Sequence, residues 1–106
     1  MADYEIVVKP VLVLAEAAGD VESGWEFYER QDAALGAYFV GCILQDLRRL
    51  ETLHGAHPVH HGLMRMLSDR FPFGIYYRET NDAIEVLAIL DLRRDPDRIR
   101  REVAER

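Results

Sequence analysis

The chain has 106 residues, a formal net charge of −6 and 49% hydrophobic side chains, the size and balance of one globular domain spanning 1–106. No apolar run approaches the roughly 18 residues that a membrane-crossing helix needs. The acidic start Met1-Ala2-Asp3-Tyr4-Glu5 lacks the basic flank of an export signal, and the single cysteine, Cys42, has no disulfide partner, so we read a cytoplasmic protein without membrane association.

The first strand is expected over Tyr4-Glu5-Ile6-Val7-Val8-Lys9, a β-branched run ending at Pro10 and suited to a sheet edge. Pro10 fits the first turn of a helix. Leu14, Ala17/Ala18, Val21, Trp25 and Tyr28 then recur at helical spacing, with Gly24 a candidate kink. Asp32 is the expected N-cap of a second helix, whose buried stripe is Leu35, Phe39, Cys42/Ile43, Leu47 and Leu50. Gly55 and Pro58 stop it. The two helices form an αα-hairpin.

A strand is expected over Gly62 to Asp69. The run Phe71 to Pro96 reads as two strands around a turn at Glu79-Thr80-Asn81-Asp82. In the return strand Ile84, Val86, Ala88, Leu90 and Leu92 alternate on one face. We expect Ile84, Val86, Ala88 and Leu90 to lie under the helices, against Leu35, Phe39, Ile43, Leu47 and Leu50. Asp97 to Glu105 suits a short C-terminal helix. The order predicts an α+β fold, β-α-α-β-β-β, with the helical hairpin on one face of a mostly antiparallel sheet.

Charge is unevenly spread. The first 53 residues carry four basic and ten acidic side chains; the last 53 carry nine of each. An acidic domain does not hold nucleic acid by bulk electrostatics, so direct nucleic-acid binding is not expected. Between Arg93 and Arg101, however, five arginines face two aspartates. Arginine's planar fork suits bidentate contact with carboxylate or phosphate.

Cys42 lies on an apolar stripe and reads as an inert buried thiol. His54, His57, His60 and His61 crowd one loop, but without a cysteine among them they read as a polar loop, not a metal site. There is no phosphate-binding glycine loop, HExxH or CxxC pair, and no cofactor is expected. The chemistry-bearing residues left are Arg65, Arg70, Arg78, Arg93 and Arg94, with Tyr76 and Tyr77. Arginine stabilises phosphate or binds a partner's carboxylates, and tyrosine stacks or packs.

The ordered run from Leu63-Met-Arg65 through Arg70-Phe-Pro-Phe-Gly-Ile-Tyr-Tyr77-Arg78, a short turn, and Ile84 to Asp91-Leu-Arg93-Arg94-Asp95-Pro96 resembles the RelE/ParE superfamily of bacterial toxins. Upstream, Trp25-Glu-Phe-Tyr28-Glu-Arg-Gln31 and Leu35-Gly36-Ala-Tyr-Phe39 are similar to that family's helical hairpin. The resemblance implies the toxin half of a type II toxin–antitoxin pair, held by a cognate antitoxin. It implies action on DNA gyrase or, in the other branch, messenger RNA cleavage on the ribosome. A partner surface would then involve Arg65, Arg78, Arg93, Arg94 and Arg98. A ribonuclease would use Arg65, Arg70, Arg93 and Arg94 on phosphate and Tyr77 to stack a base. Where the family tail commonly reads His-x-Arg-Arg-Asp-Pro, this chain has Asp91, which lacks the imidazole that shuttles a proton. The first reading is therefore a ParE-like, protein-binding growth inhibitor. The second is a RelE-like endoribonuclease, and the third a non-toxic interaction module on the same fold.

Overall fold

Strands and helices succeed one another as β1 (Val11–Val13), α1 (Ala15–Gln31), α2 (Leu35–Leu53), β2 (Val59–His60), β3 (Leu63–Leu67), β4 (Phe73–Glu79), β5 (Ile84–Asp91) and α3 (Pro96–Ala104) in the computed structural model, which describes residues 7–106. The strands join in the order β1-β5-β4-β3-β2. All pairings are antiparallel except β1 with β5. This is the expected α+β arrangement, with the two-residue β2 added.

The β4–β5 hairpin closes at the expected turn. Thr80 organises it: its Oγ1 accepts from the Asp82 and Ala83 N–H groups, and its own N–H donates to the Ala83 carbonyl. On one sheet face Ile75, Tyr77, Ile84, Val86 and Ile89 pack beneath Ala17, Tyr28, Phe39, Ile43, Leu47 and Leu50 of the helical hairpin. The opposite face is covered too. There Tyr76, Ala88 and Leu90 pack against Ile99 and Val103 of α3. The α3 helix starts as its sequence requires, with Pro96 in its first turn and the Asp95 carboxylate accepting from the Asp97 N–H at 3.1 Å.

The expectation that Ile84, Val86, Ala88 and Leu90 share the helix-covered face is corrected by one residue. The ladder pairs Tyr77 with Val86 but Tyr76 with Ala88, so Leu87 is an extra residue, a β-bulge. Strand parity inverts there. Ile84 and Val86 keep the α1/α2 face, Ile89 joins them, and Ala88 and Leu90 turn toward α3. A polar clamp holds the bulge. Asp20 of α1 accepts from the Ile89 N–H at 2.9 Å. Arg106 donates to both Asp20 oxygens, at 2.7 and 3.0 Å, and to the Leu87 carbonyl at 2.9 Å.

The N-terminal expectations shift as well. Tyr4, Glu5 and Ile6 lie outside the described residues. Val7, Val8, Lys9 and Pro10 are not in a strand; β1 forms at Val11–Val13, and α1 starts at Ala15 rather than Pro10. β1 does take a sheet edge, as expected, through Ile84 N–H to Pro10 O and Leu14 N–H to Val86 O. Asp32 ends α1 instead of starting α2. The start of α2 is capped from α1, where Glu29 accepts from the Ala34 and Gly36 N–H groups. Gly24 does not kink α1. It lets the helices close, since a Cβ there would sit 2.5 Å from the Phe39 ring. Trp25 is off the core stripe and 42% exposed. Asp46, outside the expected buried stripe of α2, is 2% exposed and ties α2 to the β3–β4 loop. It accepts from Arg49, from Ser68 Oγ at 2.6 Å and from the Asp69 N–H.

Candidate functional site

β5 delivers its end, and the tight turn into α3, to the corner where the arginines gather. Asp91 is the last β5 residue. Its Oδ1 accepts from the Arg93 backbone N–H at 2.9 Å and from Arg93 Nε at 3.0 Å, and its Oδ2 from Arg93 Nη2 at 2.7 Å. Those bonds hold the Asp91 carboxyl below the usual carboxylate range, against the opposing effect of its burial. Arg93 also reaches the hydroxyl of Tyr28 at 3.4 Å. Burial raises the Tyr28 pKa, and the guanidinium partly offsets that.

From Tyr28 an aromatic belt runs across the end of the helical hairpin. Tyr28 meets Phe71 at 4.8 Å between ring centroids, and Phe71 meets Tyr38 at 5.8 Å. Phe27 stacks edge-on against Tyr28. Arg70 lies at the far end, within 3.5 Å of the Tyr38 hydroxyl. Arg70 and Arg93 therefore bracket one aromatic surface on which Phe27 and Tyr38 are about half exposed. Alternation and helical spacing did not find this belt, because its members come from three separate elements. The signal available was compositional: Phe27, Tyr28, Tyr38, Phe39, Phe71 and Phe73 flank the αα-turn and the β3–β4 turn.

The remaining arginines divide among other places. Arg94 and Arg98 both pair with Glu102 of α3, at 3.6 and 3.2 Å, and Arg100 pairs with Asp97. Much of the basic cluster is thus neutralised along its own helix. Arg78 sits near the hairpin turn, bonded to Glu85 at 2.7 Å and remote in the ladder from Asp91. Arg65 lies on β3 opposite Tyr76, on the α3-covered face. Tyr77 is fully buried on the other face, accepts from the Gly55 N–H and bonds His57. It is closed to a stacking base, which corrects the role assigned to it in the ribonuclease reading. Burial raises its pKa.

Two of the four histidines have side-chain hydrogen bonds, each to a different partner. His54 bonds Glu79 and the Val7 carbonyl, while His57 bonds Tyr77. Among the described residues no three His, Cys, Asp or Glu side chains gather as a metal ion would require. Cys42 is buried.

The fold so described, a helical hairpin on a mixed sheet closed by a C-terminal helix, is one found in a solved structure of a ParDE system. Among solved structures, the chain is similar to one from the chromosomal ParDE toxin–antitoxin system of P. aeruginosa, with a TM-score of 0.70 and 18% sequence identity over 77% of this chain and 94% of that one. No protein-family model matches the sequence, and no curated protein matches it. No helix among the described residues is long and apolar enough to cross a membrane.

Proposed function

We propose that this chain is the toxin half of a two-component toxin–antitoxin module. It acts by binding a protein target such as DNA gyrase, and a cognate antitoxin neutralises it. The ParE-like fold supports the module reading. The observation that carries binding over cleavage is the Asp91–Arg93 pair. Cleaving RNA requires a base for the 2′-hydroxyl proton and an acid for the leaving oxygen. Where the family tail carries histidine, this chain holds an ionised carboxylate that repels phosphate and occupies the adjacent guanidinium. Arg94, and Arg98 and Arg100 of α3, are likewise paired with carboxylates. A protein partner bearing acids can exchange with those intramolecular carboxylates, and the exposed aromatics beside Arg93 and Arg70 supply apolar area.

The test is induced expression followed by parallel assays of gyrase supercoiling and messenger RNA cleavage. Growth arrest relieved by the product of the adjacent gene, lost supercoiling and intact messenger RNA are expected. Ribosome-dependent cleavage that disappears in Arg65→Ala would install the ribonuclease reading instead. Reversing Arg93 and Arg94 together to Glu is expected to weaken the antitoxin complex at least tenfold, about 1.4 kcal/mol. An unchanged affinity would place the interface elsewhere.

A further inference from the structure

Across the sheet from the helical hairpin, α3 roofs a cavity of about 160 Å³ lined by His61, Arg65, Tyr76, Leu92, Pro96 and Ile99. Two buried polar side-chain atoms among the described residues have no hydrogen-bond partner, Arg65 Nε and Tyr76 Oη. Both belong to residues lining this cavity. Tyr76 is 0% exposed. Leaving such groups unpaired costs about 1–3 kcal/mol each, and native folds rarely keep them without a use.

The surroundings hold these atoms in place. Arg65 and Tyr76 are direct cross-strand partners on β3 and β4. The stem of Arg65 passes over Gly74, where a Cβ would lie 3.0 Å from Arg65 Cδ and 3.0 Å from Leu92 Cδ2. The missing side chain is the slot that the arginine uses. At the mouth, His61 and Gly62 form the β2–β3 turn, both at positive φ, 55° and 86°, as a primed hairpin turn requires. His61 and Tyr76 both line the cavity, but His61 is exposed while Tyr76 is closed to solvent. Burial first, and the Arg65 guanidinium second, lower the pKa of His60.

A guanidinium N–H and a phenolic O–H on cross-strand partners, in a cavity that Leu92 and Ile99 also line, match one ligand chemistry. A planar carboxylate accepts one bond on each oxygen and leaves its methylene stem to the walls. Phosphate fits worse, because its further oxygens would face Leu92 and Ile99 unpaired. Nor are the first N–H groups of α3 all free for a phosphate, since the Asp97 N–H is already taken by Asp95.

We propose that this cavity receives a single carboxylate, an aspartate or glutamate side chain supplied by the protein partner, which accepts from Arg65 Nε–H and Tyr76 O–H. The source of that carboxylate rests on the antitoxin reading above; the pocket chemistry does not.

The probe is sodium propionate, the chemistry of a glutamate side chain, titrated at constant ionic strength against sodium phosphate. NMR signals of Arg65 Nε–H and the Tyr76 ring report binding. Saturable shifts with propionate, tighter than with phosphate, are expected. They should weaken at least tenfold in Tyr76→Phe and vanish in Arg65→Met. Tyr76→Phe should also melt no lower than the parent, since it removes an unpaired hydroxyl, and this separates a ligand-serving group from a structural one. Linear shifts, equal shifts in the variants, or tighter phosphate would overturn the proposal; a cavity water satisfying both atoms would give the first two. In the second arm, the adjacent-gene product should bind Tyr76→Phe about tenfold more weakly than the parent. If it binds parent and both variants equally, the carboxylate seat is wrong and the antitoxin reading stands. If it does not bind the parent at all, the antitoxin reading and the protein source fall together, while the propionate titration still decides the pocket.

Discussion

Replacing Asp20 by Ala removes one carboxylate and strands the groups that hold the β5 bulge. The Ile89 N–H loses its partner inside a buried strand, which costs about 1–3 kcal/mol. Arg106, 11% exposed at its side chain, loses both of its Asp20 bonds and keeps Glu16 and the Leu87 carbonyl. Charged hydrogen bonds contribute about 1.5–3 kcal/mol each, and partial rearrangement toward Glu16 recovers some of that. The expected loss is about 3–4 kcal/mol, a large part of a stability of about 5–15 kcal/mol. Urea unfolding measures it. With a slope near 2 kcal/mol/M the midpoint should fall by about 1.5–2 M at unchanged slope. Asp20→Asn keeps an acceptor for the Ile89 N–H and should lose less than half as much. A loss under about 1 kcal/mol in Asp20→Ala, or equal losses in the two variants, would refute the clamp.

Gly24→Ala should destabilise, because overpacking against the buried Phe39 ring costs about 1–3 kcal/mol and exceeds the gain in helix propensity. Gly19→Ala, with nothing within 4 Å of its Cβ, should stabilise α1 by up to about 1 kcal/mol. The same sign for both in thermal melts would contradict the close α1–α2 approach. His57 has a pKa lowered by burial first and by Arg49 second. The unfolded chain therefore takes up that proton before the folded one. The contribution is whole above the ordinary value of 6.5 and drains away as pH falls from there to the folded pKa. Comparing the parent with His57→Gln by urea unfolding at about pH 7.5 and about pH 5.5 should give the parent the steeper decline, and parallel declines would refute it.

Local pattern in the chain was enough for α2, the β4–β5 hairpin, the Gly55 stop and α3, because each carries its own periodicity or capping residues. It failed wherever the deciding contact was distant in sequence. Strict alternation put Ala88 and Leu90 with Val86, since nothing in Val86-Leu87-Ala88 announces an extra residue; the bulge depends on Asp20 and Arg106 reaching it from elsewhere. Asp46 was left out of the buried stripe of α2, though it occupies the same helical face as Ile43, Leu47 and Leu50; its partners Ser68 and Asp69 lie outside the helix. Tyr76 and Tyr77 looked equivalent. The pleat sends one to the α3 cavity and the other beneath the hairpin.

The parallel pairing of β1 with β5 bears on the order in which the molecule assembles. Val11 and Ile84 are partners although roughly 70 positions separate them, and closing such a loop costs about 4 kcal/mol in chain entropy. Three strand residues cannot recover that alone. The adjacent strands β3, β4 and β5 close over short turns, and α1 meets α2 across a still shorter one. β1 therefore belongs to the last folding step and is the first piece to detach. Its release would bare the outer edge of β5 while leaving the hairpin and its two covering layers in place, so the N-terminal edge would exchange its amides far sooner than the middle of the sheet.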